Sequence, residues 1–201
     1  MNIAIVKYNA GNIYSVQHAL RRLGIEPVVT DDIQILRSAD KVIFPGVGEA
    51  STTMSYLQNK GLDKLICSLT QPVLGICLGM QLMCAYSEEG GKTESLGIFD
   101  APVKLFIPQN REKIPHMGWN QIYNLKSPLF AGTKENDYVY FVHSYYVPVC
   151  KDTIASCDYI EAFSAAMHKN NFYATQFHPE KSSASGATFL RNFVKFIEAK
   201  L

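Results

Sequence analysis

Pro72-Val73-Leu74-Gly75-Ile76-Cys77-Leu78-Gly79-Met80-Gln81-Leu82-Met83-Cys84-Ala85 passes from a short apolar run into a segment of helical pattern, with its first cysteine set between two nearby glycines. Residues 72–76 read as a buried strand and residues 78–85 as the helix that follows it. A sharp strand-to-helix turn forces an unfavourable backbone conformation on its central residue and tolerates little bulk beside it, which is what Gly75 and Gly79 supply around Cys77. A thiol there sits at the positive end of a helix, where the thiolate is favoured. The competing reading of Cys77 is a small buried hydrophobe, the usual fate of a free cysteine.

Working outward, Ile3-Ala4-Ile5-Val6 reads as a buried strand. It leads through Gly11-Asn12 into an amphipathic helix with Ile13, Val16, Leu20 and Leu23 at helical spacing, closed by Gly24. Further strands are read at 26–30 and 41–44, and helices at 51–59 and 62–69. Strands alternating with helices predict a doubly wound, mostly parallel sheet covered on both faces. The second half differs: strand-like runs at 101–107, 138–142, 160–167 and 172–177, with few helix signals between them, predict some antiparallel strands. A final helix carries Ala187, Leu190, Val194 and Ile197 on one face.

With 201 residues and 47% hydrophobic content, the chain has enough material for one sizeable core, and a single domain over 1–201 is expected. Nineteen basic residues against eighteen acidic ones leave no electrostatic footprint for nucleic acid or an anionic membrane. No stretch approaches a membrane span, and the first residues enter a strand pattern without a leader, so a cytoplasmic protein is expected. The five cysteines, without Cys-x-x-Cys spacing, indicate neither a disulfide framework nor a zinc site, and the five histidines form no His-x-x-x-His pair. No metal or other cofactor is called for.

A second motif raises the standing of Cys77. Tyr173-Ala174-Thr175-Gln176-Phe177-His178-Pro179-Glu180 is a β-prone run ending in a histidine and a carboxylate two residues apart. In extended chain such residues face the same side. His178 then serves as general base for the thiol, and Glu180 holds the imidazole in its productive tautomer. In open α/β sheets sites lie beyond the carboxyl ends of strands, and Gly46-Val47-Gly48, Cys77 and His178 all follow strands. The Gly46–Gly48 segment, with the N–H of Leu78, is suited to an oxyanion hole.

These motifs resemble the Cys-His-Glu signature of class I glutamine amidotransferases, in order and approximate separation. Tyr8-Asn9-Ala10-Gly11-Asn12, Pro45-Gly46-Val47-Gly48, Pro115-His116-Met117-Gly118-Trp119-Asn120, Phe141-Val142-His143-Ser144-Tyr145 and His178-Pro179-Glu180-Lys181-Ser182 narrow the resemblance to the glutaminase subunits of imidazole glycerol phosphate synthases, of histidine biosynthesis. The resemblance implies hydrolysis of L-glutamine through a thioester on Cys77, with His178 and Glu180 completing the triad and the backbone at Val47, Gly48 and Leu78 binding the oxyanion. It implies substrate contacts from Gly46, Gly48, Gln81, Glu89, Ser144 and Tyr145. It also implies a heterodimer with a (β/α)₈-barrel cyclase, docked on Asn12, Met117, Trp119 and Lys181, to which ammonia is delivered. Lys7-Tyr8-Asn9 departs from the Asp-Tyr-Gly run common in that family. Two other readings share the same residues: a glutaminase subunit for anthranilate, purine or pyridoxal phosphate synthesis, and a catalytically inert doubly wound scaffold.

Overall fold

Four short strands, β1 (Ile3–Val6), β3 (Lys41–Phe44), β4 (Val73–Ile76) and β13 (Phe172–Thr175), are buried at every residue, a pattern that needs cover on both faces of a sheet. In the computed structural model, which describes residues 1–8 and 12–196, they form the middle of a seven-stranded sheet ordered β11-β12-β13-β4-β3-β1-β2. Here β2 is Val28–Thr30, β11 Thr153–Tyr159 and β12 Glu161–Lys169. The run from β13 to β2 is parallel throughout, whereas β11 and β12 add antiparallel strands at the other end. Alternation along each strand divides the core between the two faces. Ile3 and Ile5 join one apolar cluster with Val16, Leu20, Phe189 and Phe193. Ala4 and Val6 join another with Met54, Leu57, Leu65 and Met80.

The helices are amphipathic for this reason. In α1 (Ile13–Arg22) the buried Ile13, Val16, Ala19 and Leu20 recur at the spacing of one helical stripe, and each fully buried aliphatic side chain contributes roughly 1.5–3 kcal/mol relative to an exposed one. Facing the same side of the sheet, α6 (Ser183–Phe196) buries Phe189, Leu190 and Phe193. The opposite side is covered by α3 (Ala50–Lys60), α4 (Leu62–Ser68) and α5 (Leu78–Leu82). Asn9, Ala10 and Gly11 of the first motif, and Ile197 of the last helical stripe, lie outside the described residues.

The doubly wound layer expected from the sequence is present, and several boundaries differ from the expectation. A short helix, α2 (Ile33–Ser38), follows β2; the Asp32 side chain caps it by accepting from the backbone N–H groups of Gln34 and Ile35. The helix expected over 78–85 stops at Leu82, because the next residues turn back, Ala85 N–H donating to Ala101 O. The expected strand over 172–177 ends at Thr175. Beyond the main sheet lies a small four-stranded sheet of β5 (Tyr86–Ser87), β6 (Thr93–Glu94), β7 (Pro102–Leu105) and β10 (Tyr145–Tyr146). A hairpin-like pair joins β8 (His116–Gln121) to β9 (Tyr138–His143). Neither β8 nor β11 is announced by an apolar run: Asn120 and Gln121 in β8, and Ser156 and Asp158 in β11, interrupt the pattern, and both strands are specified by their partners.

The elbow is packed to the limit. A Cβ on Gly79 would lie 2.0 Å from the carbonyl oxygen of Phe44, and one on Gly75 would lie 2.9 Å from Met83 Sδ. Gly79→Ala must therefore separate α5 from the end of β3. Overpacking of this kind costs about 1–3 kcal/mol or more, so urea denaturation is expected to give a lowered midpoint, measured against wild type under the same conditions.

Candidate active site

Cys77 occupies the turn between β4 and α5 with φ 53° and ψ −108°, a left-handed backbone conformation that an L residue adopts only under constraint. The constraint is a set of backbone hydrogen bonds. Cys77 N–H donates to Thr175 O at 2.7 Å, and Cys77 O accepts from Gln81 N–H at 3.2 Å. Cys77 is 7% exposed, with Val142 O at 3.8 Å and Gln176 Nε2 at 3.7 Å from Sγ.

His178 and Glu180 do meet, by a route that differs from the sequence expectation. The chain leaves its strand at Thr175, and Pro179–Lys181 forms a 3₁₀ turn, so the two side chains are brought together by a tight turn instead of by the alternation of an extended strand. His178 Nδ1 lies 2.7 Å from Glu180 Oε1, and both side chains are fully buried. The other ring nitrogen, Nε2, is buried with no hydrogen-bond partner, as is Glu180 Oε2. Burial pushes the His178 imidazolium down, but the charge of Cys77 and the hydrogen bond and charge of Glu180 outweigh it, and the histidine is raised to about 10. Cys77 raises the ring chiefly through its charge and further through its side chain as a hydrogen-bond partner. The neighbouring charges of Cys77 and Glu180 therefore favour a protonated His178 in spite of its burial.

Asn12, expected from the resemblance on a docking face, directs its amide inward. Its Nδ2 donates to Glu180 Oε1, the same oxygen that holds His178, and lies 3.4 Å from His178 Nδ1. The triad segment is also tied to β9: His178 N–H donates to Tyr140 O at 2.9 Å, and Tyr140 N–H donates to Ser182 Oγ at 2.9 Å.

A cleft of about 320 Å³ opens beside the thiol, lined by Val47, Gly48, Cys77, Leu78, Gln81, Glu89, Ser144 and Tyr145 among others. It gathers nearly every residue that the sequence motifs singled out for substrate or oxyanion. Gly46 is the exception: it is buried and does not line the cleft, and a Cβ there would meet Gly79 N, Leu78 Cβ and Tyr8 Oη at 2.7 Å. Its carbonyl instead accepts from Leu78 N–H at 3.3 Å, so one of the expected oxyanion donors, among Val47, Gly48 and Leu78, is bonded within the chain. Tyr8 Oη donates to the neighbouring Pro45 carbonyl, fixing the root of this segment. Burial, and secondarily the charge of Cys77, push the Tyr8 phenol well above its ordinary range and keep it a neutral donor. Glu89 accepts from Ala50 N–H at 2.7 Å, and its pKa is raised chiefly by burial. A larger hollow of about 510 Å³ lies between α1 and α6, behind Glu180, and is lined by no thiol or imidazole.

Met117 and Trp119 project from one face of β8 and are 67% and 51% exposed. Trp119 stands opposite Tyr140 across the β8–β9 pair, their rings edge-on at 6.0 Å, and Tyr138 on the same strand is 55% exposed. Lys181 is exposed at the end of the 3₁₀ turn. Sequence reasoning gave no role to Gln176, His116 or His143, although all three lie in quoted motifs. Their signal was present only as polar residues within strand-forming, aromatic-rich segments. Among the described residues no cluster of His, Cys, Asp or Glu is arranged to hold a metal ion, and no helix is long and apolar enough to cross a membrane.

A strained cysteine elbow on a mostly parallel α/β sheet, with a buried His-Glu pair arriving from the adjacent strand, is the arrangement in which this chain meets the class of glutamine amidotransferases. Residues 4–196 match the family described as glutamine amidotransferase class-I, and the chain belongs to that family. It is 64% identical over 195 residues to imidazole glycerol phosphate synthase subunit HisH of Bacteroides thetaiotaomicron, a comparison covering 96% of this chain and 99% of the relative. It is 47% identical over 196 residues to the subunit HisH of Pectobacterium atrosepticum, covering 97% and 100%. Among solved structures, a glutamine amidotransferase from Thermotoga maritima shares the fold with a TM-score of 0.63 at 14% identity, over 96% of this chain and 82% of that one.

The raised His178 has a measurable consequence. Because the folded His178 is raised above its ordinary value of 6.5, its contribution to stability is fully present below about pH 6.5 and is lost as pH rises through about 10. An NMR titration of the ring is expected to find it still protonated at pH 8 in wild type. In Cys77→Ala, where the largest stabilising charge is gone, the same resonance is expected to titrate at distinctly lower pH. An identical titration in the two proteins would contradict the pairing.

Proposed function

We propose that this chain is the glutaminase subunit of an imidazole glycerol phosphate synthase, acting as one amidotransferase domain in histidine biosynthesis and hydrolysing L-glutamine to glutamate and ammonia. The observation that carries the reading is the buried Cys77-His178-Glu180 constellation opening on a cleft of about 320 Å³, in a chain 64% identical to a HisH subunit over nearly its whole length.

In this reading the Cys77 thiolate attacks the γ-carbonyl carbon of glutamine. The imidazolium of His178 gives its proton to the departing amide nitrogen, so ammonia leaves and a thioester remains. Water, deprotonated by the now neutral His178, then cleaves the thioester to glutamate and restores the thiolate–imidazolium pair. Glu180, held by both His178 and Asn12, keeps the ring in orientation. The developing oxyanion requires N–H groups at Val47 or Gly48 and at Leu78. The bond from Leu78 N–H to Gly46 O has to open before that donor is free, and its loss is worth about 10²–10³-fold in turnover.

The exposed Met117, Trp119 and Tyr138 supply an aromatic and sulfur-rich anchor of the kind that dominates protein interfaces. We assign this face, with Lys181, to a (β/α)₈-barrel cyclase that receives the ammonia. A sealed transfer has a chemical reason, since ammonia released into neutral water is mostly protonated and ammonium has no lone pair for attack. Docking on β8 and β9 also gives a path to the site, because β9 carries both Tyr140 and the Val142 carbonyl beside Cys77.

The test is glutamate release from glutamine by wild type and Cys77→Ala, each with and without the cyclase and its nucleotide ligand. Wild type is expected to be slow alone and accelerated by the complex. The Cys77→Ala complex is expected to lose activity by on the order of 10⁴-fold or more. Equal rates for mutant and wild type would refute the mechanism, and full activity in the isolated wild-type chain would refute the coupling.

A further inference from the structure

The Tyr145 carbonyl on the wall of the cleft is approached by two buried donors from opposite sides: His143 Nδ1 at 2.7 Å and Gln81 Nε2 at 3.0 Å. A carbonyl only accepts, so His143 carries its proton on Nδ1 and Gln81 turns its NH₂ toward Tyr145. His143 is 6% exposed, with Phe106, Phe141 and Phe163 against its ring. Burial first, then the neighbouring His116 and His178, push it down to about 3 despite the opposing bond to Tyr145. Its Nε2 is consequently bare and accepts from His116 Nδ1, 3.0 Å away. His116, stacked on Phe141 and Tyr159 and pushed down by burial to about 4, is neutral as well. Its own bare Nε2 faces Asn120 Nδ2 at 3.3 Å, while Asn120 is pinned by donating to Asp158 O and accepting from Gln121 N–H.

Beyond Tyr145 the same polarity continues. Gln81 Nε2 uses its second hydrogen on Gln176 Oε1 at 3.0 Å, so the Gln176 NH₂ is the group that faces Cys77 Sγ. Both Gln81 hydrogens are then spent within the protein. Its Oε1 has no protein partner among the described residues, and Gln81 lines the cleft. Reversing that amide would put two oxygens against each other at Tyr145 and again at Gln176.

We propose that the buried His116–His143 pair is a positioning device for the substrate cleft: its fixed tautomers hold the Tyr145 carbonyl so that Gln81 has a single amide orientation, presenting its oxygen as an acceptor for an ammonium or amide N–H of the substrate. The proposal deepens the glutaminase reading and rests on it for the identity of that substrate. The two histidines touch neither the reacting carbon nor the leaving group, and act through Tyr145 and Gln81.

Two measurements test it. Ring nitrogen NMR of the labelled full chain near neutral pH is expected to find Nδ1–H tautomers for both His116 and His143; an Nε2–H tautomer at either ring would overturn the relay. Glutamine binding by calorimetry in a Cys77→Ala background avoids turnover. There, adding His143→Phe is expected to weaken affinity by about tenfold or more, the worth of one well-placed hydrogen bond. Adding His143→Asn instead, whose amide nitrogen substitutes for Nδ1, is expected to restore most of it. Equal affinity in parent and His143→Phe would sink the positioning role. Absence of glutamine binding in the Cys77→Ala parent would instead count against the glutaminase reading, and the tautomers would still decide the relay.

Discussion

The site depends on the contact between the end of β3 and the first turn of α5, where Gly79 passes so close to the Phe44 carbonyl that no side chain fits between them. That approach places Leu78 N–H against Gly46 O and fixes the direction in which α5 leaves the strand. Cys77 joins β4 to the helix so placed with a positive φ of 53°. The strain, of order 1–3 kcal/mol for such a residue, is sustained by parallel pairing on both sides of β4. Cys77 is thus held by backbone packing, and its side chain stays available to the cleft.

Around this fixed point the polar groups are few and economically shared. Glu180 Oε1 serves both His178 and Asn12, the Tyr145 carbonyl serves both His143 and Gln81, and Gln176 serves both Gln81 and Cys77. In a low-dielectric interior each unsatisfied group is costly, so shared acceptors restrict the side chains to one arrangement. Among the described residues, five buried side-chain atoms lack a hydrogen-bond partner: His178 Nε2 and Glu180 Oε2, and one oxygen each on Asp63, Thr133 and Asp152, which do not line the cleft.

The elbow, the parallel half of the sheet and the strand-following loops were legible because each leaves a local mark: glycines at a tight approach, apolar runs of strand length, and motifs at strand ends. His178 and Glu180 were legible as a pair, but the reason given for their proximity was wrong. Proline at 179 starts a 3₁₀ turn that strand alternation does not anticipate. Strands β8 and β11 escaped notice because their polar residues find partners far along the chain, as Tyr123 does with Ser156. Asn12 looked like a surface residue, and its inward bond to Glu180 spans 168 positions, a relation with no local signature. The histidine relay was hidden for the same reason: tautomers are decided by neighbours in space.

The β8–β9 pair puts residues of unlike purpose next to one another in sequence. His116 points into the aromatic core, Met117 outward, and Trp119 and Asn120 repeat the division, because side chains in a strand alternate with a period of two. A slip of one residue in this pairing would carry the buried histidine into solvent and the exposed methionine and tryptophan into the interior. The exposed apolar face and the buried histidine are therefore readings of a single register, and neither can be redesigned by insertion or deletion in this strand without scrambling the other.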